Sequence, residues 1–214
     1  MDIKHVLNMT AGMLVVLGFI PYFISIMRHR IMPSIVTWVI WATVDIIVLA
    51  GMFTENTLNA QIVGATFCAC VVVVLSVFYG EYYWSKYDKY CLVGAALGIT
   101  IWSISGSALA GIVINSAVNF VGSIPTFSSA LKNPDNEDGF AWTVWILSSI
   151  ANMAAIPTWT LAYATQPVTF FTIMLVMMYL LYAHPVVLDL TYRDCNDDCN
   201  DHCDCCDMAL ATHR

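Results

Sequence analysis

Apolar residues in this chain come in long runs rather than in the alternating or amphipathic patterns of a soluble fold. Seven runs are long enough to cross a bilayer as helices, at about 20 residues each. Polar and turn-forming residues separate them. The pattern therefore predicts an all-α membrane protein with seven transmembrane helices, over residues 6–27, 35–53, 59–80, 90–108, 110–131, 139–160 and 167–188.

A segment spanning the end of the first run and much of the second is repeated 104 positions later. The two copies, residues 18–41 and 122–145, align without a gap, and Arg28 and Lys132 match in charge. Such self-similarity indicates two copies of one structural unit. Uncommon residues, proline and tryptophan, are among the matched pairs, which are Gly18 and Gly122, Ile20 and Ile124, Pro21 and Pro125, Phe23 and Phe127, Ser25 and Ser129, Trp38 and Trp142, and Trp41 and Trp145.

Composition and charge agree with a membrane protein. Of the 214 residues, 59% are hydrophobic and only 11% are charged, whereas soluble domains carry about 25% charged residues. The first run keeps spanning length, so no cleavable signal peptide is expected. Much of the net charge of −7 comes from an acidic tail, residues 194–207. No basic patch predicts a nucleic-acid partner.

The positions of lysine and arginine predict the orientation, because cytoplasmic loops are enriched in both. Placing the N-terminus outside leaves only Lys4 on the outer side. The cytoplasmic tail follows the last span, and the plasma membrane or a bacterial inner membrane is favoured over an organelle membrane. The seven basic residues on the inner side are Arg28, Arg30, Lys86, Lys89, Lys132, Arg193 and Arg214.

The repeat also predicts the domain organisation. Each copy belongs to a unit of three spans, and two directly joined units of three would lie in opposite orientations. A fourth span between them makes them parallel. We therefore expect a first triple-helix repeat at 1–85, a linker helix at 86–109, a second triple-helix repeat at 110–190 and a Cys/Asp-rich tail at 191–214.

This arrangement resembles that of the PQ-loop and SWEET superfamily, which is built from parallel repeats. The residues that carry the likeness are G-x-I-P-Y at 18–22, a basic loop containing Pro33, and T-W-x-x-W at 37–41; Tyr22 and Thr126 stand where the family's glutamine follows the proline. The resemblance implies two triple-helix bundles, a substrate path at their interface and rocking about proline kinks. Sugar-transporting SWEETs place an asparagine in the third helix of each repeat. The interiors of spans three and seven have no asparagine, which puts a sugar substrate in doubt; the polar residues that they offer include Thr66, Ser76, Thr169 and Thr172.

The matched prolines are candidate hinges. Pro21 and Pro125 lie inside apolar helices, where proline removes a backbone hydrogen bond and kinks the helix. A static kink is the alternative reading, because proline is common in membrane helices.

Polar and aromatic residues at helical spacing predict a substrate pocket. Aromatic walls with few polar groups suit a small, partly apolar solute. Belt tryptophans and polar links between helices are the alternative explanations. The predicted binding residues, from spans two, five and six, are Trp38, Trp41, Asp45, Asn115, Asn119, Trp142, Trp145, Ser149 and Asn152.

Asp45 is the most informative of these residues. A carboxylate within the hydrocarbon costs at least a few kcal/mol, so Asp45 should face a cavity or a partner. Its counterpart in the second copy is Ser149, so only one half has a titratable group here. Proton coupling through Asp45 and a structural role as a protonated donor both remain open.

The tail, DCNDDCNDHCDCCD, suggests a soft-metal site. Thiolates and imidazole suit zinc or copper(I). A disordered acidic tail and lipidated cysteines are the alternatives. The candidate ligands are Cys195, Cys199, His202, Cys203, Cys205 and Cys206.

These features together predict a SWEET-like transporter that moves a small solute by alternating access between two triple-helix bundles. The alternative is a PQ-loop-like receptor or sorting protein that binds a ligand and acts through its tail. No set of paired catalytic groups points to an enzyme. The expected partners are the lipid bilayer and a small-molecule solute; no cofactor is required, and homo-oligomerisation stays open.

Overall fold

The computed structural model describes residues 2–82, 84, 86–132, 134 and 137–184. In this part of the chain the regular elements are helices, so the predicted all-α class is confirmed. A π-helical turn, Tyr179–Ala183, continues the last helix. The eight α-helices are α1 Ile3–Met27, α2 Ile35–Thr54, α3 Ala60–Tyr79, α4 Lys86–Ser105, α5 Ala108–Gly122, α6 Ile124–Lys132, α7 Gly139–Ala155 and α8 Leu161–Met178.

Five segments are long and apolar enough to cross a membrane: α1, α2, α3, Ala108–Ser128 and Leu161–Ala183. The apolar helix α7 is shorter, with 17 residues. The first turn of α4 carries charged residues, which makes that helix less apolar. These long apolar helices are consistent with an integral membrane protein.

Two helix boundaries differ from the predicted ones by five residues or more. Helix α7 ends at Ala155 rather than near 160, because Ile156 precedes Pro157 and a residue before proline is disfavoured in the α conformation. Helix α8 begins at Leu161, six positions before the predicted start at 167. Pro167 lies inside α8, and the buried Gln166 before it is hydrogen-bonded rather than part of a loop.

The second helix of each repeated segment begins in the same way. The Ser34 hydroxyl accepts the Thr37 amide at 3.3 Å, and the Asp138 carboxylate accepts the Ala141 amide at 3.1 Å. Both are N-caps, which satisfy an amide that lacks a partner within the helix. Ser34 and Asp138 are 104 positions apart, so the repeat extends to the capping of α2 and α7.

The two matched prolines occupy different local structures. Helix α1 runs continuously through Pro21. The corresponding chain is interrupted at Ser123, and Pro125 lies in the first turn of α6. A proline in a first turn sacrifices no intrahelical hydrogen bond. The second copy therefore has a helix break where the first has an unbroken helix.

The helices pack in a pattern that relates the two halves of the chain. Helix α3 packs against α1 and α2, and α8 packs against α5 and α7. Two further contacts join the halves, α1 with α7 and α2 with α5, while α4 lies on α5 and α2. Large apolar side chains cover the outer faces, where lipid would lie; they include Met13, Phe53, Phe67, Phe78 and Ile104.

Candidate functional site

A cavity of about 170 Å³ lies where the two halves meet. Aromatic and small apolar side chains from α1, α2, α3, α7 and α8 form most of its wall. Seven of the nine residues predicted to bind substrate line this cavity: Trp38, Trp41, Asp45, Asn119, Trp142, Trp145 and Ser149.

The repeated glycines and tryptophans make reciprocal contacts across the halves. Gly18 of α1 lies against the indole nitrogen of Trp145 of α7, so that a Cβ at Gly18 would overlap it. Gly122 of α5 lies against Trp41 of α2, where a Cβ would stand 2.7 Å from the indole nitrogen. Each half thus supplies the glycine for the other half's tryptophan. We call these contacts the α1–α7 seam and the α2–α5 seam.

The four tryptophans form two perpendicular pairs. Trp38 and Trp41 have ring centroids 5.3 Å apart at 72°, and Trp142 and Trp145 have centroids 5.1 Å apart at 86°. Phe19 joins the pairs, with centroids 6.3 Å from Trp38 and 4.8 Å from Trp145. The aromatic wall is therefore continuous from one half to the other.

The position of Asp45 along α2 shows how deep the cavity reaches. It lies eleven residues beyond the Ser34 cap, about 16 Å along the helix at 1.5 Å per residue, which is near the middle of a bilayer core. Its carboxylate accepts a hydrogen bond from the Asn119 amide at 2.9 Å, across the α2–α5 seam. Only 7% of Asp45 is exposed. The carboxylate is directed at the cavity and at the opposite half.

One end of the cavity lies at the start of α7 and carries two more carboxylates, Glu137 and Asp138; we call this end the mouth. The Trp142 indole donates a hydrogen bond to Glu137 at 3.1 Å. Burial raises the pKa of the Glu137 carboxyl above its ordinary value, and the hydrogen bond from Trp142 opposes that rise. A hydrogen bond thus links Glu137 at the mouth to Trp142 of the aromatic wall.

The far end of the cavity is closed by a hydrogen-bonded polar cluster centred on Gln61 of α3. The Gln61 amide donates to the hydroxyls of Ser148 and Ser149, each at 3.0 Å. Its carbonyl oxygen accepts from Asn152 at 2.8 Å and from Gln166 at 3.4 Å. We call these five side chains, all at most 1% exposed, the polar plug.

A second cavity, of about 180 Å³, lies beyond the polar plug. Asn152 lines this second cavity, whereas Gln61 and Ser149 line the first. Lys4 borders this second cavity and donates from its ammonium group to the Ile156 and Pro157 carbonyl oxygens at 3.0 and 3.1 Å. One layer of polar side chains therefore separates the two cavities.

Two predicted binding residues lie away from the first cavity. Asn115 faces α4, close to Gly98, and its amide donates to the Gly111 carbonyl at 2.9 Å. Asn152 belongs to the polar plug and to the second cavity. Of the candidate hinges, Pro21 lies one residue from the lining residue Tyr22, and Pro125 lies one residue from the lining residue Thr126.

Gln61 and Gln166 are not among the residues predicted from the sequence to form the site. A long amide in an apolar helix must find partners, because an unpaired polar group is costly there. That cost could have been used to predict that Gln61 and Gln166 are hydrogen-bonded to neighbouring helices. Phe19 and Glu137 gave no such signal, since a phenylalanine in a span and a carboxylate beside a helix start are both ordinary.

The predicted metal ligands of the tail, Cys195, Cys199, His202, Cys203, Cys205 and Cys206, lie outside the described residues. Within the described ranges, no group of three or more histidine, cysteine or acidic side chains is placed to hold a metal ion. The soft-metal site of the tail stays a prediction.

Comparison with known protein families, curated proteins and solved structures finds no match for this chain.

Proposed function

We propose that this protein is a membrane transporter that moves a small solute by alternating access. Two triple-helix bundles would rock against each other: α1 to α3, and α5 to α8 with α5 and α6 counted as one span. Helix α4 would be the linker, which gives seven spans in all. The N-terminus would lie outside and the mouth beside Glu137 would face the cytoplasm, as the distribution of lysine and arginine predicts.

The observation that carries the proposal is the pair of cavities separated by the polar plug. A transporter needs a central site that opens to one side while the other side is closed. Here the inner cavity reaches about the middle of the membrane and ends at Gln61 and Ser149, and the outer cavity begins at Asn152. Separation of Gln61 from Asn152 would join them.

The chemistry of the polar plug suits a gate that opens. Hydrogen bonds between buried neutral amides and hydroxyls exchange for bonds to water at a modest net cost, about 1 kcal/mol each. An apolar closure of the same area would instead expose hydrocarbon to water. Gln61 also lies on α3 and its partners Ser148, Ser149 and Asn152 on α7, so movement between the bundles would break these bonds together.

The reciprocal seams support rocking about a two-fold axis. Because Gly18 meets Trp145 and Gly122 meets Trp41, the two inter-bundle contacts have the same shape and can shift together. We assign Pro21 and Pro125 as the hinges, since each lies beside a cavity-lining residue at the matching position of its bundle.

Accessibility of the cavity from both sides tests the proposal without knowledge of the solute. The variant Phe170→Cys places a thiol in the cavity wall, and Thr126→Cys places one near the mouth. Both are made in a full-length background without the eight native cysteines. Impermeant thiol reagents should label Phe170→Cys from either face of the membrane, and Thr126→Cys from the inner face only. A receptor pocket would be labelled from a single face, and that result for Phe170→Cys would overturn the proposal.

Uptake into proteoliposomes provides the second test. Ala69→Leu should block flux by filling the cavity, whereas Ala96→Leu, a matched change on an exposed face of α4, should not. Solute uptake that persists in Ala69→Leu would place the path elsewhere.

A further inference from the structure

The charged side chains that line the inner cavity all have the same sign. They are the carboxylates of Asp45, Glu137 and Asp138, and no lysine, arginine or histidine is among the described lining residues. Within the described part of the chain, their hydrogen-bond partners are the Asn119 amide, the Trp142 indole and a backbone amide, none of which is a cation. The cavity therefore favours a positively charged occupant.

Asp45 offers that occupant a specific contact. More than nine-tenths of the residue is buried, and one carboxylate oxygen is bonded to Asn119. The other oxygen has no partner among the described residues, and Asp45 lines the cavity. This oxygen is not among the fully buried side-chain atoms that lack a partner, so a ligand or water in the cavity can reach it and take the role of its missing partner.

The tryptophan pairs offer the second kind of contact. Each perpendicular pair forms a corner, and the two corners come from opposite halves of the chain. Ammonium groups bind to the faces of such rings, within about 6 Å of the centroid, and aromatic cages recognise methylated ammonium in this way. Such a cation would contact Trp38 from one half and Trp145 from the other.

The size and charge of the cavity restrict the class of ligand further. A cavity of about 150 Å³ holds benzene, so this cavity of about 170 Å³ suits a solute of similar size. A zwitterion would bring a carboxylate for which the described lining residues offer no cationic partner, and its desolvation would be uncompensated.

We propose that the inner cavity binds a small organic cation, a methylated ammonium group without a carboxylate, between the tryptophan corners and Asp45. The proposal deepens the proposed function and rests on it for the claim that this cation is carried across the membrane.

Equilibrium binding to the purified full-length protein in lipid nanodiscs tests the charge preference. The probes are choline, its neutral carbon isostere 3,3-dimethylbutan-1-ol, and glycine betaine, which adds a carboxylate. Choline should bind about tenfold or more tightly than either of the other two. Equal affinity for the isostere or for betaine would overturn the proposal, as would no choline binding at concentrations up to about 10 mM.

Matched variants locate the binding. Asp45→Asn should lower choline affinity about tenfold or more and leave the weak binding of the isostere unchanged. Trp38→Leu should lower choline affinity as well, whereas Trp159→Leu, a tryptophan change at an exposed position outside the cavity, should not. If Asp45→Asn does not fold, the choline affinities of Trp38→Leu and Trp159→Leu are compared instead. Equal choline affinity in these two variants would overturn the assignment.

The two proposals fail in different ways. Uptake of a neutral solute that Ala69→Leu blocks, together with no preference for choline, would leave the transporter standing and overturn the cation site. Choline binding that Trp38→Leu removes, with Phe170→Cys labelled from one face only, would support the cation site and overturn transport.

Discussion

The α1–α7 seam and the α2–α5 seam are built from the same repeated residues but hold different polar groups. In both seams a glycine of one half receives a tryptophan of the other. In the α1–α7 seam the Trp145 indole also donates to the Val15 carbonyl at 3.2 Å, and the Ser148 hydroxyl donates to the Ala11 carbonyl at 2.7 Å. In the α2–α5 seam the polar contact joins Asn119 to a carboxylate.

The comparison shows how two contacts built from the same repeated residues can hold different polar groups. The repeated glycines and tryptophans give both contacts a similar shape, because a Cβ on either glycine would crowd the facing indole ring. The polar residues are free to differ, since they depend on local partners. We infer that the α1–α7 seam, with Gln61 and the plug behind it, holds one side closed, and that the α2–α5 seam presents the charge that meets the solute.

The largest effect is expected for Gln61→Leu, which removes the centre of the polar plug. Ser149, Asn152 and Gln166 would then lose buried hydrogen bonds, and an unsatisfied buried polar group costs about 1–3 kcal/mol. We expect a loss of about 3 kcal/mol or more in the free energy of unfolding, measured in detergent. Asn119→Leu in the other seam should cost less, about 1 kcal/mol, because its partner Asp45 also borders the cavity. A larger loss of unfolding free energy for Asn119→Leu than for Gln61→Leu would show that the polar contact of the α2–α5 seam is the more stabilising one.

Adding one methyl group to each seam glycine tests whether the seams are equally tight. Gly18→Ala should cost about 2 kcal/mol by overpacking, because Trp145 is buried and fixed by its bond to Val15. Gly122→Ala should cost about 1 kcal/mol or less, since Trp41 is only half-buried and can yield. Thermal unfolding of both variants beside the wild type measures the difference. Equal losses of thermal stability in the two variants would show that the hydrogen bond to Val15 does not make the α1–α7 seam tighter.

Asp45→Asn tests the charge difference between the seams. Asparagine keeps the size of the side chain and its bond to Asn119 but cannot titrate, so any pH dependence of uptake should flatten. One coupled proton limits that dependence to about tenfold per pH unit. Ser149→Ala, at the matching position of the other half, should keep the wild-type profile. An unchanged profile in Asp45→Asn would exclude coupling through this carboxyl.

The smallest effect is expected at the mouth, for Glu137→Gln. Because burial raises the pKa of Glu137 in the folded protein, its contribution to stability is complete below the ordinary value of 4.5 and is lost as pH rises through the raised value. Glutamine still accepts from Trp142 but carries no charge. The melting temperature of Glu137→Gln should therefore match the wild type in acid and exceed it at neutral pH. A variant that is less stable at neutral pH would show that the charged form is favoured instead.

The sequence by itself determined the helical class, the repeated segment and seven of the residues that line the cavity. Long apolar runs cannot bury themselves in a soluble core, so they indicate membrane helices. Pairs such as Gly18 with Gly122 and Trp41 with Trp145 could be aligned because close packing tolerates few substitutions. Asp45 was predicted to face a cavity or a partner from the cost of a carboxylate in hydrocarbon, and it lines the cavity.

Only the tertiary structure decided how the polar residues pair. Gln61 is hydrogen-bonded to Ser148, Ser149 and Asn152, which lie 87 to 91 positions away in the chain, and no local pattern encodes such a partner. Asn115 shares a predicted helix face with Asn119, yet the packing of α4 on α5 turns it away from the cavity. Helical periodicity gives the face of a side chain within about a third of a turn, and the neighbouring helix decides what that face meets.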